Sequence, residues 1–158
     1  MARTKKGRAA IYKGLGHPME IVEYPVPEPE PGAILIKMRR ANICGSDLHM
    51  WRGDVDLAAL GMPMPVILGH EMVGAVAKLG AGVVTDSAGQ PLAEGDRVVY
   101  RYFVPCGRCR TCLSGDDAAC PAAYMTVVTP CDLPPHFRGA YAEYVVADPR
   151  FVFPLPDR

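Results

Sequence analysis

Glycine and proline number 16 each in 158 residues, and their even spread constrains the fold of this chain more than any other feature. Proline removes a backbone donor and clashes with the preceding helical turn, while glycine weakens the interiors of helices and strands. Together they cut the chain into short pieces and leave no room for a long helix. The pieces read as strands: AAIYKG (9–14), MEIVEY (19–24), AILIKMRRANI (33–43), MVGAVAKLG (72–80), DRVVYRYF (96–103), AYAEYVVAD (140–148) and FVFPL (151–155). They are rich in Val, Ile and Tyr and bounded by turn residues, the pattern of a barrel or sandwich. In 33–43 the alternation is imperfect, so a strand is expected there with its inward face left open. YPVPEPEPG (24–32) holds four prolines and is expected to be an extended surface connector. Helical signal is concentrated in SDLHMWRG (46–53), about two turns with Ser46 or Asp47 as N-cap and Gly53 as the stop.

No glycine-rich dinucleotide turn occurs between a strand and a helix. The nearest text, GAVAKLGAG (74–82), lacks that pattern, so no dinucleotide-binding fold is encoded in these residues. Lys plus Arg and Asp plus Glu balance at 17 each, which gives no bulk field toward nucleic acid or anionic lipid, and neither is expected as a partner. Residues 1–8 are basic and read as a flexible tail, with no apolar run of signal-peptide length behind them. No stretch reaches the ~20 apolar residues of a membrane span. The expectation is a cytoplasmic protein with reduced cysteines.

Four of the six cysteines lie in CGRCRTCLSGDDAAC: Cys106, Cys109, Cys112 and Cys120, spaced C-x2-C-x2-C-x7-C. Four thiolates on a short irregular loop suit tetrahedral zinc. Arg108 and Arg110 lie between the ligands, where they and backbone N–H groups are placed to offset the excess negative charge. An iron–sulfur cluster is a second reading, although its bacterial run closes with a shorter last gap. Two disulfides are a third, disfavoured by a reducing compartment. A four-cysteine zinc site has no open position and is structural by coordination alone.

Chemistry is then sought in NICGSDLHMW (42–51) and LGHEMVG (68–74). Cys44 and His70 are residue types that hold catalytic zinc, and one further protein ligand would leave a fourth position open for water or substrate. Each has a plainer reading alone, Cys44 as a small buried hydrophobe and His70 as a turn residue. Met50 and Trp51 fit either a substrate pocket or helix packing. Cys131 and His136, in TPCDLPPHFRG, carry no partner pattern.

Taken together and in order, CGSDLH (44–49), GHEMVGAVAKLG (69–80), GDRV (95–98), the four-cysteine loop and GAYAEYVVADPRFVFPLPD (139–157) resemble the zinc-dependent medium-chain alcohol and polyol dehydrogenases. Specifically, the chain is similar to their GroES-like catalytic domain, from about residue 8 onward. The resemblance implies one mainly β domain over 1–158, a partly open β-barrel with a few short helices and an irregular zinc-clamped lobe at 104–121. It implies Cys44 and His70 as catalytic zinc ligands, with Glu71 beside the metal, a ligand in polyol-type members and behind the ligands in others. Asp47 resembles the carboxylate that fixes the ligating imidazole, and Ser46 and His49 match a relay carrying the alcohol proton to solvent. Cys106, Cys109, Cys112 and Cys120 match the structural zinc site. The implied reaction oxidises a small alcohol to a carbonyl, with hydride transfer to NAD or NADP.

The family's nicotinamide-binding Rossmann domain and third catalytic ligand have no counterpart in these residues. The expectations that follow are a weakly filled catalytic site, little turnover by residues 1–158 alone, and self-association through surface that the second domain covers. A non-catalytic zinc module that uses the barrel as a partner-binding scaffold is the alternative reading.

Overall fold

A computed structural model describes residues 5–125 and 129–156, and every strand pairing among them is antiparallel. β1 (Lys6–Tyr12) lies between β2 (Glu20–Pro25) and β4 (Val66–Ile67) in a three-stranded sheet. The second sheet has five strands in the order β7 (Tyr144–Ala147), β3 (Ile34–Ala41), β5 (Met72–Leu79), β6 (Arg97–Tyr100) and β8 (Val152–Pro154). The expected mainly β domain is present, as two sheets that do not close into a barrel. No helix among the described residues is long and apolar enough to cross a membrane.

The imperfect alternation of 33–43 has a tertiary cause. Ile34, Leu35 and Ile36 are all buried, and the pairing of β3 with β5 shifts register between Leu35 and Ile36. Ile34 and Ile36 pack with Val76, Val98, Val145 and Val152, whereas Leu35 packs with Ile11, Ile67, Phe137 and Tyr144. β3 therefore serves two cores, one on each face, and a strand buried on both faces has no reason to alternate. Each of these side chains contributes on the order of 1.5–3 kcal/mol by leaving water.

Two local expectations are corrected. Residues 6–8 are not tail: β1 begins at Lys6, and Glu143 accepts from both the backbone N–H and the guanidinium of Arg8. Residues 1–4 of the expected tail lie outside the described residues. The helix α1 (Gly45–Arg52) is capped by Cys44, two residues before Ser46 and three before Asp47, the expected N-caps. Asp47 instead occupies the third helical position, from which its carboxylate reaches back to the Cys44 N–H. Gly53 ends the helix as expected, at φ 86°.

One close approach sets the site. A Cβ on Gly139 would lie 2.0 Å from the Ile67 carbonyl oxygen, so only glycine lets the chain run against β4 there. The N–H groups of Ala140 and Tyr141 then donate to Gly69 (3.1 Å) and Leu68 (3.0 Å). Tyr141 is thereby delivered to the loop that carries His70.

Candidate active site and metal centres

Cys44, His70 and Glu71 come from different segments, the start of α1 and the loop entering β5. Their candidate ligand atoms lie within 4.8 Å of one another. The Asn42 N–H donates to the Glu71 carbonyl at 2.9 Å, joining the end of β3 to the start of β5. Asp47 fastens the two segments from beneath. Its Oδ2 accepts from the Cys44 N–H at 2.9 Å and from the Tyr141 hydroxyl at 2.7 Å. Its Oδ1 accepts from the Gly69 N–H at 3.3 Å and lies 3.5 Å from His70 Nδ1. At 3% exposure this carboxylate is buried, and such a group persists only when donors surround it.

Tyr141 was not singled out by sequence reasoning, since nothing in GAYAEY signals a contact with Asp47 94 residues away. Burial and the neighbouring Asp47 carboxylate raise its pKa, so the phenol stays a donor. Its ring also presses on Gly69, where φ is +90° and a Cβ would lie 2.6 Å from the Tyr141 ring. The glycine before His70 is thus required twice, by its backbone and by its neighbour.

Ser46 Oγ lies 3.3 Å from His70 Nε2. His49, the other expected relay residue, does not meet Ser46 among the described hydrogen bonds. Its Nδ1 pairs with Asp54 Oδ2 at 2.8 Å, and the imidazole side chain is 60% exposed. Beside His70 a cavity of about 240 Å³ is bounded by Met50, Leu68, Tyr102 and Tyr124, with Ser46 and Asp47 at its polar end. The Tyr102 ring lies 4.9 Å from the His70 ring. Met50 thus lines the cavity, whereas Trp51 does not and is 52% exposed.

The second cluster is local. The sulfurs of Cys106, Cys109, Cys112 and Cys120 lie within 4.8 Å of one another, and all four cysteines are free thiols. Tetrahedral zinc at about 2.3 Å from each sulfur would set them about 3.8 Å apart, so the set fits that ion. Backbone N–H groups of Arg108 and Cys109 lower the Cys106 pKa. The Thr111 hydroxyl and the Cys112 N–H bring Cys109 to about 6, while burial raises Cys112. At residue 108 it is the backbone N–H that meets a thiolate; the side chains of Arg108 and Arg110 are exposed. The loop is closed at its neck by the Val104 N–H donating to Ala123 (2.7 Å). It is pinned by Arg101, whose guanidinium donates to both oxygens of Asp117 at 2.7 Å.

Cys131 and His136 belong to packing. Cys131 is buried, with its sulfur 3.7 Å from the Tyr24 hydroxyl. His136 Nδ1 donates to the Cys131 carbonyl at 2.9 Å, and its ring stacks on Tyr24 at 4.4 Å.

The chain is 39% identical over 151 residues to an alcohol dehydrogenase of Rhizobium meliloti, covering 95% of this chain and 40% of that protein. It is 35% identical over 150 residues to an L-threonine 3-dehydrogenase of Deinococcus radiodurans, covering 95% and 39%. Among solved structures, the alcohol dehydrogenase of Thermotoga maritima superposes with a TM-score of 0.84 at 30% identity, over 97% of this chain and 41% of that one. The chain thus spans about two fifths of the length of these relatives. The family described as Alcohol dehydrogenase GroES-like domain matches residues 30–157, and the chain belongs to that family.

Proposed function

We propose that residues 1–158 are the catalytic-domain portion, a single GroES-like unit, of a zinc-dependent dehydrogenase that oxidises an alcohol to a carbonyl by hydride transfer to NAD or NADP. The observation that carries this reading is Asp47, one buried carboxylate that fastens both ligand-bearing segments at once. A partner-binding scaffold has no need of such a device. In this reading Cys44, His70 and Glu71 hold the catalytic zinc, and Cys106, Cys109, Cys112 and Cys120 hold a structural zinc in the lobe at 104–121.

Bound zinc supplies a Lewis acid for the substrate oxygen, and a bound nicotinamide supplies the hydride acceptor. The chain's own residues do the rest. Asp47 engages His70 Nδ1, which leaves Nε2 as the ligating nitrogen. Ser46 Oγ, close to that nitrogen, accepts the substrate hydroxyl proton as it gives up its own. His49 is the outer end of the path: Asp54 engages its Nδ1, and its exposed Nε2 takes up the proton released at Ser46 by way of intervening water, since the two side chains share no described hydrogen bond. The mostly apolar lining of the cavity disfavours water beside the reacting end.

Residues 1–158 contain no glycine-rich dinucleotide turn, so alone they turn over little alcohol. Self-association would proceed through exposed apolar side chains, which among the described residues include Ile43, Trp51 and Val55.

The test is cobalt loading of the chain and of Cys44→Ser, followed by the sulfur-to-metal absorption bands. Two binding classes are expected, a tight four-thiolate site and a weaker one that disappears in Cys44→Ser. If Cys44→Ser retains both classes, the reading is wrong.

A further inference from the structure

The cavity beside His70 is sharply divided. Most of its wall is apolar: Met50, Leu57, Met62, Val66, Leu68 and the ring of Tyr102. Its polar groups gather at one end, where Ser46, Asp47 and His70 meet. Among the described lining residues Asp47 alone carries a formal charge, and its oxygens are taken up by Cys44, Tyr141, Gly69 and His70. Tyr102 and Tyr124 also line the cavity, with their ring centroids 6.1 Å apart.

A molecule in this space meets Ser46 at the polar end and a remainder that is apolar apart from the Tyr102 and Tyr124 hydroxyls. An ammonium or carboxylate on its body would lose hydration with no free charged partner among the described lining residues, and further hydroxyls would find partners only at the two tyrosines, leaving most of a polyol's hydroxyls unpaired. A volume of about 240 Å³ is below the usual range for drug-sized ligands and suits a body of a single ring or a short branched chain. Met50 and Met62 are flexible, polarisable walls that adapt to either shape.

We propose that this cavity takes an uncharged alcohol bearing one hydroxyl and a compact apolar body, aromatic or branched aliphatic, and rejects amino alcohols and polyols. The inference rests on the reading of Ser46 and His70 as the reactive end of the site.

The experiment uses the zinc-loaded 158-residue chain with 13C-methyl methionine, its Met50 and Met62 signals identified by substitution to leucine. Benzyl alcohol, cyclohexanol, glycerol and L-threonine are titrated separately. Saturable shifts of both signals are expected with benzyl alcohol and cyclohexanol, and binding at least about tenfold weaker with glycerol and L-threonine. Met62→Gln, which places an amide in the wall, is expected to weaken benzyl alcohol about tenfold. Glycerol or L-threonine matching benzyl alcohol, or benzyl alcohol leaving both signals unmoved, would overturn the inference. Cobalt in place of zinc separates this from the functional reading, because it broadens the carbinol protons of bound benzyl alcohol more than the ring protons if the hydroxyl points to the metal. Selective binding with the opposite broadening would overturn the assignment of the reactive end while leaving the cavity's preference intact.

Discussion

The Tyr141 hydroxyl donates to Asp47 Oδ2 at 2.7 Å, and the same oxygen accepts the N–H of Cys44 at 2.9 Å. A residue following a glycine-enabled close approach in one part of the chain thus helps to hold the carboxylate that orients candidate ligands from two others.

Tyr141→Phe removes this donor and keeps the ring over Gly69. We expect cobalt affinity at Cys44, His70 and Glu71 to fall about 10–100-fold, with the four-thiolate site unchanged. Stability should fall by only about 1 kcal/mol, as for one hydrogen bond. Competitive metal titration checks the first outcome and urea unfolding the second. Equal weakening of both metal sites would mean that Tyr141 acts through global stability alone.

Gly69→Ala meets two obstacles, φ +90° and a Cβ placed 2.6 Å from the Tyr141 ring. Gly89→Ala meets only one, φ +76° with open space around it. The first should cost about 1–3 kcal/mol more than the second, through displacement of a packed ring. Thermal unfolding of the two variants side by side measures the difference.

Cys112→Ser should free the lobe while sparing the cores. The lobe buries little apolar surface of its own, and Leu113 within it is 76% exposed. Its order is therefore expected to depend on the proposed zinc and on the Arg101–Asp117 pair. Amide protection across 105–121 is expected to fall at least about a hundredfold, with Ile34, Val98 and Val145 unaffected. Hydrogen exchange resolves the two regions.

The Arg8–Glu143 pair predicts a pH dependence. Hydrogen bonding to the Arg8 guanidinium and N–H lowers the Glu143 pKa below its ordinary 4.5. A carboxylate with a depressed folded-state pKa contributes stability above its unfolded value, and that contribution is lost as pH falls through the folded one. Both side chains are substantially exposed, so Glu143→Gln should cost under about 1 kcal/mol at neutral pH. The difference from wild type should vanish on the acid side of 4.5 and be unchanged above it. Urea titrations across that range decide it.

The strands, the helix ending at Gly53 and the four-cysteine cluster were legible in the residues because each is governed by near neighbours. Glycine and proline act within a turn of themselves, and thiols that are close in sequence close only short loops as they converge. The same holds for Cys44 beside Ser46 and Asp47. The double-faced burial of β3 was not legible, because it depends on a second core behind the sheet, built from distant segments. The pairing of His49 with Asp54 depended on how the chain folds back after α1.

By itself, the sequence determined which residues have the chemistry to hold metals and where the chain must turn, since these follow from side-chain type and local spacing. Only the tertiary structure decided that Asp47 would unite Cys44, Gly69, His70 and Tyr141. That convergence needs Gly139 to bring distant backbone against Ile67, and no local spacing encodes an approach made across sheets.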